Sequence, residues 1–149
     1  MTIRNDADFK AALNKLPAPE QRRVAARFVE SVAALCKDPR VTTAINAAKR
    51  TDIGDDELTM AFQSVKNACV DSYTLCGHDT DWRTQAGHFV AKAAETCLMP
   101  PAGRVHDIGW NAAMQARMAR TCETISIGHG TENPEADKQY RILEEFIKR

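Results

Sequence analysis

The chain has 149 residues, of which 44% are hydrophobic and 27% are charged, and its 20 lysines and arginines balance its 20 aspartates and glutamates. This composition is typical of a folded globular protein and excludes an intrinsically disordered chain. The formal net charge of zero excludes a broadly basic binder of nucleic acid or of membrane surfaces. At this length we expect one hydrophobic core and one domain, residues 1–149.

The balanced total charge hides a polarised distribution along the chain. Residues 1–50 carry ten basic and five acidic side chains, residues 51–100 carry three and eight, and residues 101–149 carry seven of each. If the first two blocks lie side by side, acidic and basic helices pack against each other. If they lie on opposite faces, the acidic face becomes a docking surface for a basic partner.

The first three predicted helices are set by turn and cap residues. Asn5 can cap a first helix, which ends at the prolines that follow residue 16, so residues 1–18 form a peripheral N-terminal element. An amphipathic second helix is predicted over residues 19–37. Asp38 and the proline after it open a third helix over residues 39–50.

The next two helices are predicted from apolar residues at helical spacing. A fourth helix covers residues 55–76, and Gly77 can end it. A fifth covers residues 80–98, with Asp79 or Thr80 as its cap and Trp82 at the start of its inward stripe.

The last two helices complete an all-α chain. A sixth helix is predicted over residues 104–125 with Trp110 and Met118 facing inward. After a loop, Asn133 and the proline that follows it cap a last helix, so residues 126–149 form a peripheral loop and helix. We therefore predict a single compact bundle of about seven antiparallel or orthogonal helices.

The segment before the first helix is charged and has no apolar stretch behind it, so no secretory signal is expected. Since no apolar run approaches the roughly 18 residues that span a bilayer, we expect a cytoplasmic protein with no membrane partner. The cysteines are odd in number and never form a CxxC pair, which predicts reduced thiols in the core. They are Cys36, Cys69, Cys76, Cys97 and Cys122.

An acidic group, Asp52, Asp55, Asp56 and Glu57, stands where the fourth helix begins. Negative charge at that position stabilises the positive end of the helix dipole, which is the ordinary explanation. Four acids within six positions exceed what a cap needs, so a partner-binding surface is the alternative.

A histidine cluster is the alternative functional site. His106, Asp107 and Trp110 stand near the start of the sixth helix, and His88 on the fifth helix approaches them if the two helices are antiparallel. Such an imidazole pair can serve as a general base or a ligand, in a small helical enzyme or a metal-binding protein. The structural alternative is that each histidine only bonds to a neighbouring side chain, a carbonyl or water.

The turn after the fourth helix places metal-ligand residue types together, His78, Asp79 and Asp81 among them. A closed site needs about four ligands in fixed geometry, whereas a short turn directs its side chains apart. Helix termination and capping explain the same residues, so we expect no metal and no other cofactor. The chain also lacks the GxSxG, GxxxxGK[ST], GxGxxG and HExxH motifs, which leaves catalysis without positive support.

The segments 38–50, 53–58, 86–88 and 102–106, read together, resemble a family of small helical bacterial proteins that are proposed immunity proteins of polymorphic toxin systems. The resemblance spans roughly residues 25–125. It implies a cytoplasmic, non-enzymatic protein that neutralises a toxin domain by binding it directly, and it supplies no catalytic residue. The other hypotheses are the small helical enzyme or metal-binding protein and a structural homo-oligomer such as a homodimer.

Overall fold

The structure is a computed structural model that describes residues 2–76, 81–100 and 107–148. Within these residues it is all-helical, and the helices pack into one compact bundle, as predicted. No helix in the described part of the chain is long and apolar enough to cross a membrane. The helices are α1 (Asp6–Asn14), α2 (Ala18–Glu30), α3 (Pro39–Lys49), α4 (Asp55–Cys76), α5 (Trp82–Cys97), α6 (Ile108–Ser126) and α7 (Glu135–Ile147).

Side-chain caps determine where four of the helices begin. The Asn5 Oδ1 atom accepts a hydrogen bond from the Asp8 amide, and Asp38 accepts one from the Arg40 amide. These two predicted caps are confirmed. In α7 the residue before the helix is Pro134, and Asn133, one position earlier, accepts from the Glu135 amide at the helix start. The cap of α5 is Asp81, which accepts from the Arg83 amide, and the predicted start at residue 80 was therefore too early.

The second helix is shorter than its apolar pattern predicted. It ends at Glu30 and is followed by a single 3-10 turn, Ala33–Leu35, whereas the sequence predicted one helix to residue 37. The reason lies in Ser31, whose carbonyl accepts a hydrogen bond from Arg120 and whose hydroxyl donates to Glu135. These bonds come from α6 and α7, so local periodicity could not predict them.

The core has two parts that share α2 and α6. The larger part fills the space among α2 to α6, and the smaller one joins α1, α2, α6 and α7 around Phe9, Phe28 and Leu143. Alanines let α5 and α6 approach closely, and Ala112, Ala116 and Ala119 of α6 are buried.

Two side chains that were predicted to face inward are exposed. Trp82 stands at the first position of α5 and is 36% exposed. Met118 lies on the solvent side of α6 because the alanine stripe, and not the methionine stripe, faces α5. Small residues allow the axes of α5 and α6 to approach more closely than methionines would, so the long Met118 side chain lies at the solvent-exposed edge of the contact.

Candidate functional site

The acidic group lies at an exposed corner of the bundle. Asp52 belongs to the loop between α3 and α4, and Asp55, Asp56 and Glu57 form the first turn of α4. All four side chains are exposed. This placement suits both alternatives for the group, since a first-turn acid stabilises the helix dipole and an exposed acid is available to a partner.

Arg50 at the end of α3 divides the acidic group into two pairs. Its guanidinium lies 2.6 Å from Glu57 and 3.3 Å from Asp52, and the hydrogen bond from Arg50 lowers the pKa of Asp52. Asp55 and Asp56 have no ion pair within the described ranges. The negative charge that remains available to a partner is therefore concentrated on these two residues.

Basic and acidic blocks of the sequence lie side by side where α3 meets α4. Besides the Arg50 contacts, the Arg40 guanidinium lies 2.9 Å from Asp71 in the second half of α4. Both ends of α3 are thus tied to α4 by ion pairs. Part of the charge polarisation along the chain is therefore used in packing, and the first turn of α4 keeps an acidic surplus.

The outer side of α4 carries large apolar side chains that the rest of the bundle does not cover. Met60, Val70 and Tyr73 are 73%, 59% and 72% exposed, the three highest values for large hydrophobic residues in the described part of the chain. At 100° per residue these three and Asp56 fall within about 140° of the helix circumference. We call this surface, with Asp56, Met60, Val70 and Tyr73, the α4 face.

The α4 face is exposed because α4 stands at the edge of the bundle. Its main partners are α3 and α5, which cover only one side of a helix of 22 residues. The sequence predicted an inward stripe of α4 that includes Leu58, Phe62, Val65 and Cys69; Val65 and Cys69 are buried, together with Ala68. The sequence held a signal for the α4 face, because Met60, Val70 and Tyr73 fall outside that stripe and break the polar side of the helix.

A largely apolar cavity of about 450 Å³ lies next to the first turn of α4. Leu58 and Phe62 form its α4 wall, and Asp55 and Arg22 are the charged residues among its walls. Pro100 and Ile108 bound one end of it, close in sequence to residues 101–106, which lie outside the described ranges.

His88 is held by its neighbours between α4 and α5. Its Nδ1 atom lies 2.7 Å from the Ser72 hydroxyl, which itself donates to the Cys69 carbonyl. The single hydrogen of the Ser72 hydroxyl is used in the bond to the Cys69 carbonyl. Both contacts are therefore satisfied when His88 carries a hydrogen on Nδ1 and donates it to the Ser72 oxygen. The ring also packs on Tyr73 and Phe89, and burial lowers the pKa of His88. This geometry matches the structural explanation of the histidine.

Of the other members of the histidine cluster, the structure describes Asp107 and Trp110. Trp110 packs on Phe9, with the Lys10 ammonium 5.2 Å from its ring centre, in the smaller part of the core. Asp107 precedes α6 and makes no capping hydrogen bond with its side chain. His106 lies outside the described residues. The structure thus places His88 against α4 and Trp110 against α1, in different parts of the core.

The candidate metal ligands are only partly within the described residues. His78 and Asp79 lie outside them, and Asp81 accepts hydrogen bonds from the Arg83 amide and the Thr84 hydroxyl as the cap of α5. No group of three or more potential ligands that could hold a metal occurs among the residues that the structure describes. The side chains of Cys36, Cys69, Cys97 and Cys122 are thiols: Cys36 is half-buried, and the other three are buried.

A buried polar network joins α7 to the rest of the bundle, and the sequence did not predict it. Glu135 is fully buried, and its carboxylate accepts hydrogen bonds from Arg120 at 2.9 Å and from the Ser31 hydroxyl at 2.8 Å. One turn later Gln139, also fully buried, donates to the Ala113 carbonyl. Glu135 and Gln139 are four residues apart, so the sequence pattern places them on the polar side of an amphipathic helix. Their buried role follows only from the hydrogen bonds that Arg120 and Arg117 of α6 donate to them.

The arginines of α2, Arg22, Arg23 and Arg27, stand on the polar side of an amphipathic helix, where solvated side chains are expected, but the structure gives them specific contacts. Arg22 donates to the Ala48 and Arg50 carbonyls and so caps the end of α3. The guanidinium groups of Arg23 and Arg27 lie over the Phe146 ring, 5.5 and 5.8 Å from its centre. All three side chains are half-buried.

The chain was compared with protein-family models, with curated proteins and with solved structures, and no match was found in any of them. The resemblance to immunity proteins therefore stays a prediction from sequence.

Proposed function

We propose that this protein is a non-enzymatic binding protein whose protein partner docks on the α4 face. One observation carries the proposal: the three most exposed large hydrophobic residues in the described ranges all lie on the same helix. Single exposed apolar residues are ordinary, whereas several large ones on one side of a helix are a candidate interaction surface. Val70 and Tyr73 are neighbours on successive turns, and Met60 lies on the same side nearer the start of α4.

The composition of the α4 face suits a transient or regulated protein interface. Tyr73 offers a large, rigid side chain with a polar end, and Met60 offers a flexible apolar one; both types are enriched at interfaces. From Asp56 to Tyr73 the face is about 25 Å long at 1.5 Å per residue, which suits a contact of ordinary size. Asp55 and Asp56 at one end would speed the approach of a basic partner.

We further propose that the partner is a toxin domain and that the protein acts as an immunity protein in the bacterial cytoplasm. The support for this finer step is the sequence resemblance over residues 38–58 and its later segments. Direct binding needs a surface and no catalytic group, which agrees with a site made of acidic and apolar side chains. The toxin would be encoded next to this chain, so the adjacent gene supplies the first partner to test.

The test compares two charge reversals at corresponding helix positions. Asp56→Lys and Asp137→Lys each replace an exposed acid in the first turn of a helix, α4 and α7 respectively. Each loses about 0.3–1 kcal/mol of favourable interaction with the helix dipole. Glu57 is left intact because it holds Arg50.

Each variant is co-expressed with the product of the adjacent gene, and affinity for the purified product is measured by calorimetry. We expect Asp56→Lys to weaken binding, with a smaller salt dependence, and to reduce protection from the toxin. Asp137→Lys should behave as the unmodified protein. Equal binding by both variants would refute docking on the α4 face, and absence of both binding and protection would refute the immunity function.

A homodimer through the α4 face is the second candidate, and the same apolar residues favour it. Light scattering over a range of concentrations separates the two possibilities. A dimer that dissociates in the Tyr73→Ala variant would assign the face to self-association. A monomer at all concentrations would refute it.

A further inference from the structure

We infer that Arg23 and Arg27 of α2, together with Phe146 of α7, form a binding site for an oxyanion group, either phosphate or carboxylate. The site is independent of the α4 face and of the proposed function, because it lies between the first and last parts of the bundle. It is a small pocket of about 200 Å³. Its walls are Leu16, Glu20, Arg23, Arg27, Phe146 and Ile147.

The first support is the absence of an acceptor for two half-buried cations. Within the described residues the other half-buried arginines, Arg22, Arg40, Arg117 and Arg120, all donate hydrogen bonds to carbonyl or carboxylate oxygens. Arg23 and Arg27 form no ion pair or side-chain hydrogen bond there. The Arg23 Nε atom is shielded from solvent and has no hydrogen-bond partner among the described residues, so this N–H group has lost water without gaining an acceptor there.

The second support is that the two like charges are held together. Arg23 and Arg27 are four residues apart on one helix, an arrangement in which like charges repel. The Phe146 ring, itself buried, attracts both guanidinium groups at under 6 Å and holds them in place. An oxyanion between them would supply the missing acceptor and cancel the repulsion.

The size and charge of the pocket define the class of ligand. A volume of about 200 Å³ is below the roughly 300 Å³ at which pockets for drug-sized molecules and cofactors begin. It admits a small group such as phosphate or carboxylate. Glu20 is the acid among the pocket walls, and it forms no ion pair with either arginine in the described part of the chain. It would compete with an incoming anion.

The test is a titration of the whole protein with inorganic phosphate and, separately, with acetate, against sodium chloride at equal ionic strength. The signals of the arginine Nε–H groups are followed by NMR, and thermal stability is followed in parallel. We expect a saturable shift of the Arg23 and Arg27 signals and a rise in melting temperature that chloride does not give. Saturation by only one of the two anions identifies the group that the pocket accepts.

Three variants and a control complete the design. Arg23→Gln and Arg27→Gln should each weaken anion binding at least about tenfold, the loss expected for a charge-assisted hydrogen bond. Glu20→Gln should strengthen it by removing the competing acid. Lys66→Gln, which removes an exposed positive charge on α4, should have no effect.

Two results would overturn the inference. One is a response to phosphate and acetate that does not saturate or does not exceed that to chloride. The other is a saturable response that persists unchanged in Arg23→Gln and Arg27→Gln. If Arg23→Gln is unstable because its side chain is half-buried, Arg27→Gln and the titration of the unmodified protein still decide the question.

Discussion

The ion pair between Arg120 and Glu135 provides the sharpest test of how the bundle is held together. Glu135 is 0% exposed, so its carboxylate is fully removed from water, whereas the Arg120 side chain is 18% exposed. Arg120 also donates to the Ser31 carbonyl and to Glu123. Arg120→Met removes the cation and leaves the buried carboxylate with the Ser31 hydroxyl as its remaining side-chain donor in the described residues.

The expected loss follows from the burial of that carboxylate. Breaking a buried pair by removing one partner costs about 3–5 kcal/mol, because an uncompensated charge stays in the interior. The remaining hydrogen bond from Ser31 places the loss in the lower half of this range. The ion pair of Arg120 with Glu123 is partly exposed and adds under about 1 kcal/mol. We expect a decrease of about 3–4 kcal/mol in the free energy of unfolding.

Urea unfolding followed by far-UV circular dichroism measures this decrease. The control is Lys49→Met, which breaks an exposed pair with Glu30 and should cost less than about 1 kcal/mol. A double variant, Arg120→Met with Glu135→Leu, should recover most of the loss, since it removes both charges. The reasoning is refuted if Arg120→Met costs no more than the control, or if the double variant is no more stable than Arg120→Met alone.

Three further predictions concern titration and reactivity. The hydrogen bond from Arg117 lowers the pKa of Asp6 below its ordinary 3.8, so this contribution to stability is present above that pH and is lost as pH falls. Asp6→Asn should therefore flatten the acid side of the stability profile measured by urea unfolding. Burial lowers the pKa of His88 below 6.5, so the protein loses stability as pH falls through that lowered value; an NMR titration of the ring that gives a pKa of 6.5 or more would contradict this. Burial also raises the thiol pKa values of Cys69 and Cys97, and a thiol reagent should modify them in native protein far more slowly than in urea.

The sequence predicted the helices well where the signal is local. Asn5 and Asp38 cap helices as expected, and α4 has the predicted bounds, because a cap and an apolar stripe depend on residues within a few positions. The end of α2 was predicted wrongly because Ser31 is bonded by Arg120 and Glu135, about ninety and one hundred residues further along the chain. Propensity and periodicity contain no information about such partners.

In the candidate site, too, the features that depend on local sequence were predictable and those that depend on distant residues were not. The position of the acidic group at a helix start was predictable, since it follows from the bounds of α4. To predict the pairing of this group with Arg50, one would have to know that α3 packs on α4. To predict the exposure of Met60 and Tyr73, one would have to know that α4 stands at an edge of the bundle. Apolar residues outside a helix's inward stripe are buried when a second helix covers them.

Side-chain footprinting with hydroxyl radicals tests the docking of a partner on the α4 face most directly. Met60 and Tyr73 are 73% and 72% exposed and react readily with hydroxyl radicals, and Met118 on α6, 48% exposed, is the internal control. With the product of the adjacent gene bound, we predict strong protection of Met60 and Tyr73 and unchanged labelling of Met118. Protection of Met118 alone, or labelling of Met60 and Tyr73 that is unchanged in the complex, would contradict docking on the α4 face.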